Sequence, residues 1–414
     1  MRVAAVERIV SMQEFQKQVQ APVPVEALFA WHERAGAFER LSPPWDRPKV
    51  LEHTGGIRDG AKVVLQVHAG PVPTTWTLEH RDYIANRQFR DVMRKGPFAA
   101  WEHTHGFAPI DAQSSMLDDH IRYALPLGGL GSAVAGTYTQ RTLARVFAYR
   151  HAVMLGDLAR HAEFADRPRR RIAITGASGF IGTQLAAFLS TGGHEVIRIG
   201  RAAPKPGSHD VQWNPERGQL DPRALEGVDA VIHLAGASIA SRWSSAHRTA
   251  LKSSRVEGTS LLAHTLAQLS RKPRVLLSGS AIGIYGSRGD ELLDERSAFG
   301  NDYLADVGRA WEASTAPAEQ AGIPATPDFN SGSNEGVGYF EVNQKNGWRW
   351  NTAKAFLRPT CYGRPNFEMW TSAQVSKLLM EALPNGQQRC TGVEVWNGRE
   401  MVTALANKSV VLTA

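Results

Sequence analysis

Residues 171–182, Arg-Ile-Ala-Ile-Thr-Gly-Ala-Ser-Gly-Phe-Ile-Gly, constrain this chain more than any other stretch. Arg171 to Thr175 read as a short buried strand. Gly176, Gly179 and Gly182 follow at the spacing G-x-x-G-x-x-G, and Thr183 to Ser190 read as the helix that this turn opens. Each glycine has its own task. Gly176 lets the backbone turn sharply after the strand, Gly179 lets a pyrophosphate approach the main chain, and Gly182 lets the helix pack closely on the strand. The helix N-terminus then offers unpaired N–H groups and a partial positive charge to the phosphates. Glu195 to Ile199 supply a second strand, so the order strand, turn, helix, strand predicts a nucleotide-binding turn.

At 414 residues, two or three domains are expected at roughly 100–200 residues each. The net charge of +7 is spread along the chain, with one cluster at Arg167–Arg171, which suits anionic small ligands at least as well as nucleic acid. Basic and aromatic residues do not gather on a recognisable nucleic-acid module, so that class ranks low. No stretch approaches the ~20 apolar residues of a membrane span. Two cysteines, Cys361 and Cys390, make no disulfide framework, and a reducing, cytoplasmic compartment is expected.

Residues 1–165 alternate apolar and polar residues over short runs. Phe15–Gln20, Ala61–Ala69, Thr74–Tyr83, Arg87–Arg94, Trp101–Ala108 and Ser114–Leu125 read as strands of an antiparallel sheet. Pro24 to Trp31 reads as a helix with proline near its first turn. Tyr138 to His161 reads as one long amphipathic helix, with Leu143, Val146, Phe147, Val153, Met154 and Leu158 on its apolar face. This order predicts a helix laid across a curved sheet. His103 and His105 share one face of a strand and have metal-ligand spacing, but no third ligand is assured among His53, His68 and His120. They are therefore read as packing or hydrogen-bonding residues, with no metal assigned. Trp31, Trp45, Trp76 and Trp101 are read as core and cavity wall.

Trp31-His32, Leu41-Ser42-Pro43-Pro44-Trp45, Gly96-Pro97-Phe98, Trp101 to His105, Tyr123-Ala124-Leu125-Pro126 and Phe147 to His151 resemble the START/polyketide-cyclase-like helix-grip domains. The resemblance is closest to the version fused ahead of an epimerase-like domain. It implies an apolar cavity and a hydrophobic ligand. Residues 159–170, charged and carrying Pro168, read as the joint that follows.

In residues 171–325, Ile172–Thr175, Glu195–Ile199, Ala230–Leu234 and Arg274–Ser278 read as strands, separated by helical stretches at Gln184–Ser190, Ala246–Leu269 and Asp306–Gln320. That alternation predicts an α/β Rossmann-type parallel sheet with helices on both faces. The residue after the second strand selects the cofactor. A carboxylate there would hold a ribose 2′-OH; Arg201 stands there instead and suits a 2′-phosphate, which favours NADP over NAD. Ala235 and Gly236 end the next strand in a small-residue turn at the cofactor edge. Ser278 to Gly286 then deliver hydroxyls to that edge, and Ser280 is placed to bond a substrate oxygen.

Thr175–Gly182, Leu234–Gly236 and Ser278–Gly286 together resemble the extended short-chain dehydrogenase/reductase superfamily. More narrowly, they are similar to its atypical epimerase branch, the one often labelled a cell-division inhibitor. Arg242-Trp243, Ser254 to Thr259 and Tyr303 to Glu312 match that branch. The resemblance implies cofactor contacts from Gly176, Ser178, Gly179, Phe180, Ile181, Gly182, Arg201, Ala235 and Gly236. The superfamily's chemistry uses Tyr-x-x-x-Lys, in which lysine lowers the tyrosine pKa. The aligned residues here are Tyr303 and Val307, so the lysine is missing and Tyr285 is the candidate substitute acid/base. Two readings follow: an NAD(P)-dependent epimerase or oxidoreductase acting on a nucleotide sugar or other small carbinol, and a non-catalytic NADP-sensing protein carrying a hydrophobic ligand.

Residues 326–414 depart from the branch. They hold nine of the twelve asparagines and both cysteines. Either this end has diverged or a reading-frame shift replaced it; the frame shift is favoured. Ser372–Leu383 reads as a helix and Ser409–Leu412 as a strand. On this reading the sheet lacks its last strands and exposes an edge.

Overall fold

The computed structural model describes residues 12–325, less Arg47, Gly70, Pro71, Leu127, Pro206, Asp290, Leu292, Asp294 and Glu295, and after them short runs within 336–349 and 364–410. The first part is built from β1 (Gln13–Ala21), α1 (Val25–Glu33), α2 (Ala37–Leu41), β2 (Lys49–Thr54), β3 (Lys62–Ala69), β4 (Val72–Ile84), β5 (Gln88–Lys95), β6 (Ala100–Pro109), β7 (Ser115–Ala124) and α3 (Gly128–Ala162). The seven strands form one antiparallel sheet in the order β1-β7-β6-β5-β4-β3-β2.

Strict alternation puts Trp101, His103, His105 and Phe107 of β6 on the inner face, and Leu117, Asp119, Ile121 and Tyr123 of β7 beside them. Leu143, Phe147, Met154 and Leu158 of α3 close over that face, and burying each removes a side chain worth roughly 1.5–3 kcal/mol from water. The long helix begins ten residues before the expected Tyr138, despite the weak helix propensity of Gly128, Gly129, Gly131 and Gly136. Trp31 and Trp101 are buried as expected. Trp45 is not: it is 47% exposed, with the Arg145 guanidinium over its ring.

The second part contains β8 (Arg171–Thr175), α4 (Phe180–Thr191), β9 (Glu195–Gly200), β10 (Val211–Asn214), β11 (Gln219–Leu220), β12 (Ala230–His233), α5 (Ser245–Ala267), β13 (Val275–Ser278), α6 (Tyr303–Ala313), α7 (Ala316–Gln320) and β14 (Gly336–Tyr339). Its sheet order is β11-β10-β9-β8-β12-β13-β14. Neighbours from β10 to β14 are parallel, but β11 runs antiparallel to β10, so the sheet is mixed rather than purely parallel. Ala173, Ile197, Ile199 and Val231 pack under Leu262 and Leu266 of α5 on one face. Ile172, Ile174 and Ile232 pack under Ala186 of α4 on the other. The helix expected over Asp306–Gln320 is two helices, because Ser314 and Thr315 turn their hydroxyls back onto the carbonyls of Ala310 and Glu312 and Pro317 opens α7. β14 pairs along the whole of β13, so that edge is not bare as expected.

The two sheets meet through helices. Gly36, at φ +96°, brings α2 so close to α4 that a Cβ there would lie 2.6 Å from the Ala187 carbonyl oxygen. Arg40 donates to Asp157 of α3 at 2.6 and 2.8 Å and to Gln184 of α4 at 3.0 Å. Arg34 donates to the Thr191 carbonyl at 2.8 Å. Residues 1–341 accordingly form one compact unit and 342–414 another.

The second unit contains an antiparallel sheet of Gln374–Ala382, Gln388–Trp396 and Met401–Leu405. The first of these is a strand where a helix is expected. Its Leu, Met, Lys and Glu residues favour helix, but pairing with Val393 and Val395 decides otherwise. The strand expected at Ser409–Leu412 falls almost wholly outside the described residues. No helix among the described residues is long and apolar enough to cross a membrane.

Candidate functional site

Thr175 ends β8, and its side chain knits the turn together. Its Oγ1 accepts from the backbone N–H of Leu234 at 3.1 Å and of Ala235 at 3.2 Å. It also bonds His233 Nδ1 at 2.7 Å, and His233 Nε2 bonds Thr259 Oγ1 at 2.9 Å. Burial pushes the His233 imidazole down to about 4, so it is neutral. This chain of bonds pins the C-terminal ends of β8 and β12 side by side.

Gly176 and Gly182 sit where the backbone leaves no room for a side chain. Gly176 sits at φ +68°, and a Cβ there would come within 2.8–2.9 Å of the Leu234 and Ala235 backbone. Such a position needs glycine twice over, for its dihedral and for the close approach. At Gly182 a Cβ would lie 2.2 Å from the Gly176 carbonyl oxygen, so the helix could not seat. Gly179 differs: its φ is −78°, and a Cβ would meet only the Gly176 oxygen, at 3.1 Å. Space opens above it.

Gly179 is the N-cap of α4, no side chain caps that end, and no acidic residue stands in the first turn. The first-turn N–H groups therefore lack an internal acceptor, as an anion-binding helix end requires. Ser178 is exposed, and Phe180 and Ile181 are 86% and 64% exposed beside it. These residues fit a dinucleotide: a cradle that a Cβ at 179 would fill, under an uncapped helix.

Arg201 follows β9 directly and is exposed; its carbonyl accepts from Gln212 at 3.0 Å, and among the described residues its guanidinium has no acidic partner. Gly236 lies next to the Arg255 guanidinium, 3.4 Å from where a Cβ would stand. Arg255 donates to the carbonyls of Ala237 and Leu251 and lies over the Trp311 ring.

Ser280 follows β13 and donates its hydroxyl proton to Glu312 Oε1 at 2.6 Å. Burial raises the Glu312 carboxyl, against the pull of that bond. Glu312 is the Ser280 partner the sequence reading missed; an acidic residue in the last turn of α6 carries no signal until α6 is laid beside β13. Tyr285 ends a short 3₁₀ turn, Ile282–Tyr285, with its ring 6.5 Å from that of Phe299. Tyr303 donates its hydroxyl to the Arg248 carbonyl, and Val307, in the lysine place, is buried.

The first sheet holds a second polar cluster. His80 of β4, Asp91 of β5, His103 and His105 of β6 and Asp119 of β7 all point inward, and His151 of α3 reaches down to them. Burial and the neighbouring His105 charge press His103 down to about 4. Burial also acts against charge on His105, but Asp119 and Asp91 outweigh it and hold that ring up at about 9. Beside the cluster lies a hollow of about 10 Å³ lined by His32, His105, Leu117, Asp119, Phe147, Arg150, His151 and Met154, room for about one water.

An α/β sheet with a glycine turn at its middle strand, carried behind an antiparallel sheet that grips a long helix, defines a nucleotide-binding module with a helix-grip partner. Residues 172–305 match the NAD dependent epimerase/dehydratase family, and residues 21–147 match the polyketide cyclase / dehydrase and lipid transport family. Residues 172–305 are thus similar to the epimerase family, with a stretch similar to polyketide-cyclase-type domains ahead of them.

An epimerase family protein of Mycobacterium bovis is 42% identical over 152 residues, 36% of this chain and 50% of that protein. One from Bacillus subtilis is 33% identical over 156 residues, 37% of this chain and 51% of that protein. The chain spans about half the length of these curated relatives. The crystal structure of a nucleoside-diphosphate sugar epimerase from Corynebacterium glutamicum superposes with a TM-score of 0.63 at 31% identity, covering 79% of this chain and 65% of that one. Residues 303–414 match a different family, GMC oxidoreductase.

Proposed function

We propose that residues 171–325 bind NADP at the glycine turn and act as an epimerase or oxidoreductase on a nucleotide sugar or another small carbinol. The observation that carries this is the open, uncapped N-terminus of α4 above Gly179, between a Gly176 and a Gly182 that tolerate no side chain. Gly176, Ser178, Gly179, Phe180, Ile181, Gly182, Ala235 and Gly236 would hold the dinucleotide. Arg201, exposed at the end of β9, would take the 2′-phosphate and so select NADP over NAD. The likeness to a sugar epimerase supports the substrate class.

When bound, the nicotinamide supplies a site that accepts and returns hydride. The chain's own residues manage the proton. Ser280 gives its proton to Glu312 and keeps its lone pairs free to accept from a substrate hydroxyl. Glu312, made less acidic by burial, is the group to which that proton moves. Tyr285 is the further acid/base in this reading. With two cysteines in 414 residues, we place this work in a reducing, cytoplasmic setting.

Stopped-flow absorbance of enzyme-bound NADP mixed with a panel of nucleotide sugars tests the reading. Transient reduction that Ser280→Ala slows at least tenfold supports it, and no reduction across the panel contradicts it. A second reading, NADP sensing without catalysis, is favoured by Val307 in the lysine place and by the Tyr303 hydroxyl being committed to Arg248. We read residues 1–165, 171–325 and 326–414 as three units of separate ancestry, on the three family matches.

A further inference from the structure

The inner face of the first sheet carries more polar chemistry than a core needs. Four adjacent strands, β4 to β7, aim His80, Asp91, His103, His105 and Asp119 at one another beneath α3. Around them stand apolar rings: Phe89 stacks on His105 at 4.2 Å between centroids, and Phe147 meets His103 edge-on at 5.4 Å. Charged and hydrogen-bonding groups kept in such surroundings need either complete pairing or an ion.

Pairing is incomplete: His80 Nδ1, Asp91 Oδ1, His105 Nδ1 and His151 Nδ1 are buried without a hydrogen-bond partner. His103 Nε2 lies 3.0 Å from Asp119 Oδ1, and His105 Nδ1 lies 2.8 Å from the same oxygen. His151 Nε2 takes the other Asp119 oxygen at 2.7 Å. The opposite nitrogens of the two rings turn toward Asp91. His103 Nδ1 is 3.8 Å and His105 Nε2 is 3.5 Å from Asp91 Oδ2. Those separations are long for hydrogen bonds. They are what two ligands of one ion require: with bonds of ~2.1 Å and angles of ~110–130°, ligand atoms stand ~3.4–3.8 Å apart. One ligand atom from each of Asp91, His103 and His105 lies within 4.8 Å of the others.

We propose that Asp91, His103 and His105 bind a divalent transition-metal ion inside the helix-grip domain. Two imidazoles and one carboxylate form the donor set, which suits zinc, manganese, ferrous iron or cobalt and disfavours calcium and magnesium. Asp119 is the outer carboxylate. It bonds the far nitrogen of His103 and lies 2.8 Å from that of His105, placed to orient both rings and raise their basicity, as carboxylates behind metal-bound histidines do. His80 Nε2 stands 2.9 Å from Asp91 Oδ1, at the other end of the ligating carboxylate. The sequence shows only the two histidines at i, i+2; of the histidines available as a third ligand, His53 is exposed and His120 faces away from the inner surface. The third ligand is an aspartate on the next strand, paired with His103 in the sheet register. The ion's site is separate from the glycine turn, so this proposal does not rest on the cofactor reading.

The test uses the full chain, produced in cobalt-supplemented medium and purified without chelator. Elemental analysis should give close to one cobalt per chain, with the visible d–d bands of a nitrogen-and-oxygen-ligated ion. Asp91→Asn, which keeps the shape and removes the charge, should lower bound cobalt at least tenfold, and Asp119→Asn should weaken retention 10–100-fold against a competing chelator. Near-UV circular dichroism and NADPH binding report whether each variant is folded. A wild-type chain that melts cooperatively yet carries less than a tenth of an equivalent of cobalt overturns the proposal. So does a folded Asp91→Asn chain with wild-type occupancy and an unchanged visible spectrum.

Discussion

Gly179 separates binding from folding more cleanly than its two partners do. At Gly176 an alanine must hold φ near +68° and push its Cβ to within 2.9 Å of the Leu234 and Ala235 backbone. The dihedral alone costs ~1–2 kcal/mol and the overlap adds more, so Gly176→Ala should destabilise by ~2–4 kcal/mol. Gly182→Ala puts a Cβ 2.2 Å from the Gly176 oxygen, and α4 must back away by ~1 Å to restore contact distance, at ~1–3 kcal/mol. Gly179→Ala meets nothing nearer than the Gly176 oxygen at 3.1 Å, and its φ of −78° suits alanine. Its stability should change by less than ~1 kcal/mol, some of any cost being offset by a less flexible unfolded chain. The added methyl nevertheless occupies the approach to the helix N-terminus, so NADP affinity should fall at least tenfold, ~1.4 kcal/mol. Urea denaturation of the three variants, with calorimetric titration of NADP into each folded one, measures both quantities. Gly179→Ala binding within twofold of wild type, or unfolding as readily as Gly182→Ala, would refute the cradle geometry.

Three further outcomes follow from the same structure. Arg201→Glu should weaken NADP binding at least tenfold while leaving NAD unchanged or improved, measured by paired titrations, because in the proposed site Arg201 serves the 2′-phosphate alone. Arg40→Ala should cost ~2–4 kcal/mol in urea, since it leaves the buried Asp157 carboxylate without its partner; the double variant with Asp157→Ala should recover part of that loss, and strict additivity would refute the pairing. His233 has a folded pKa of about 4, below its unfolded value of 6.5, so the unfolded chain binds more protons between those values. Its contribution is therefore present above pH 6.5 and lost as pH falls toward 4, ~3 kcal/mol in all, and unfolding free energy against pH should flatten over that window in His233→Gln.

The glycine turn was legible because three demands on the backbone coincide at fixed spacing, and each shows as a residue with no Cβ. The alternation of β6 and β7 was legible too: Trp101, Phe107, Leu117 and Ile121 set the phase of the inner face. That same phase places His103, His105 and Asp119 inside, but which strand lies beside β6, and so which aspartate faces its histidines, depends on long-range register. Glu312 was hidden for a like reason, since nothing local ties α6 to Ser280. Two features misled outright. The glycines at 128–136 argue against a helix that nevertheless forms there, and Gln374–Ala382 is composed like a helix yet pairs as a strand. β14 lies beyond residue 325, where the sequence assigns no strand to this sheet.

Titration of NADPH into the purified full chain, followed by the rise in nicotinamide fluorescence, puts the whole account at risk in a single curve. Saturable 1:1 binding, tighter for NADPH than for NADH and abolished by Gly179→Glu, is the predicted result. A chain that unfolds cooperatively yet gives no signal with either nucleotide would contradict it.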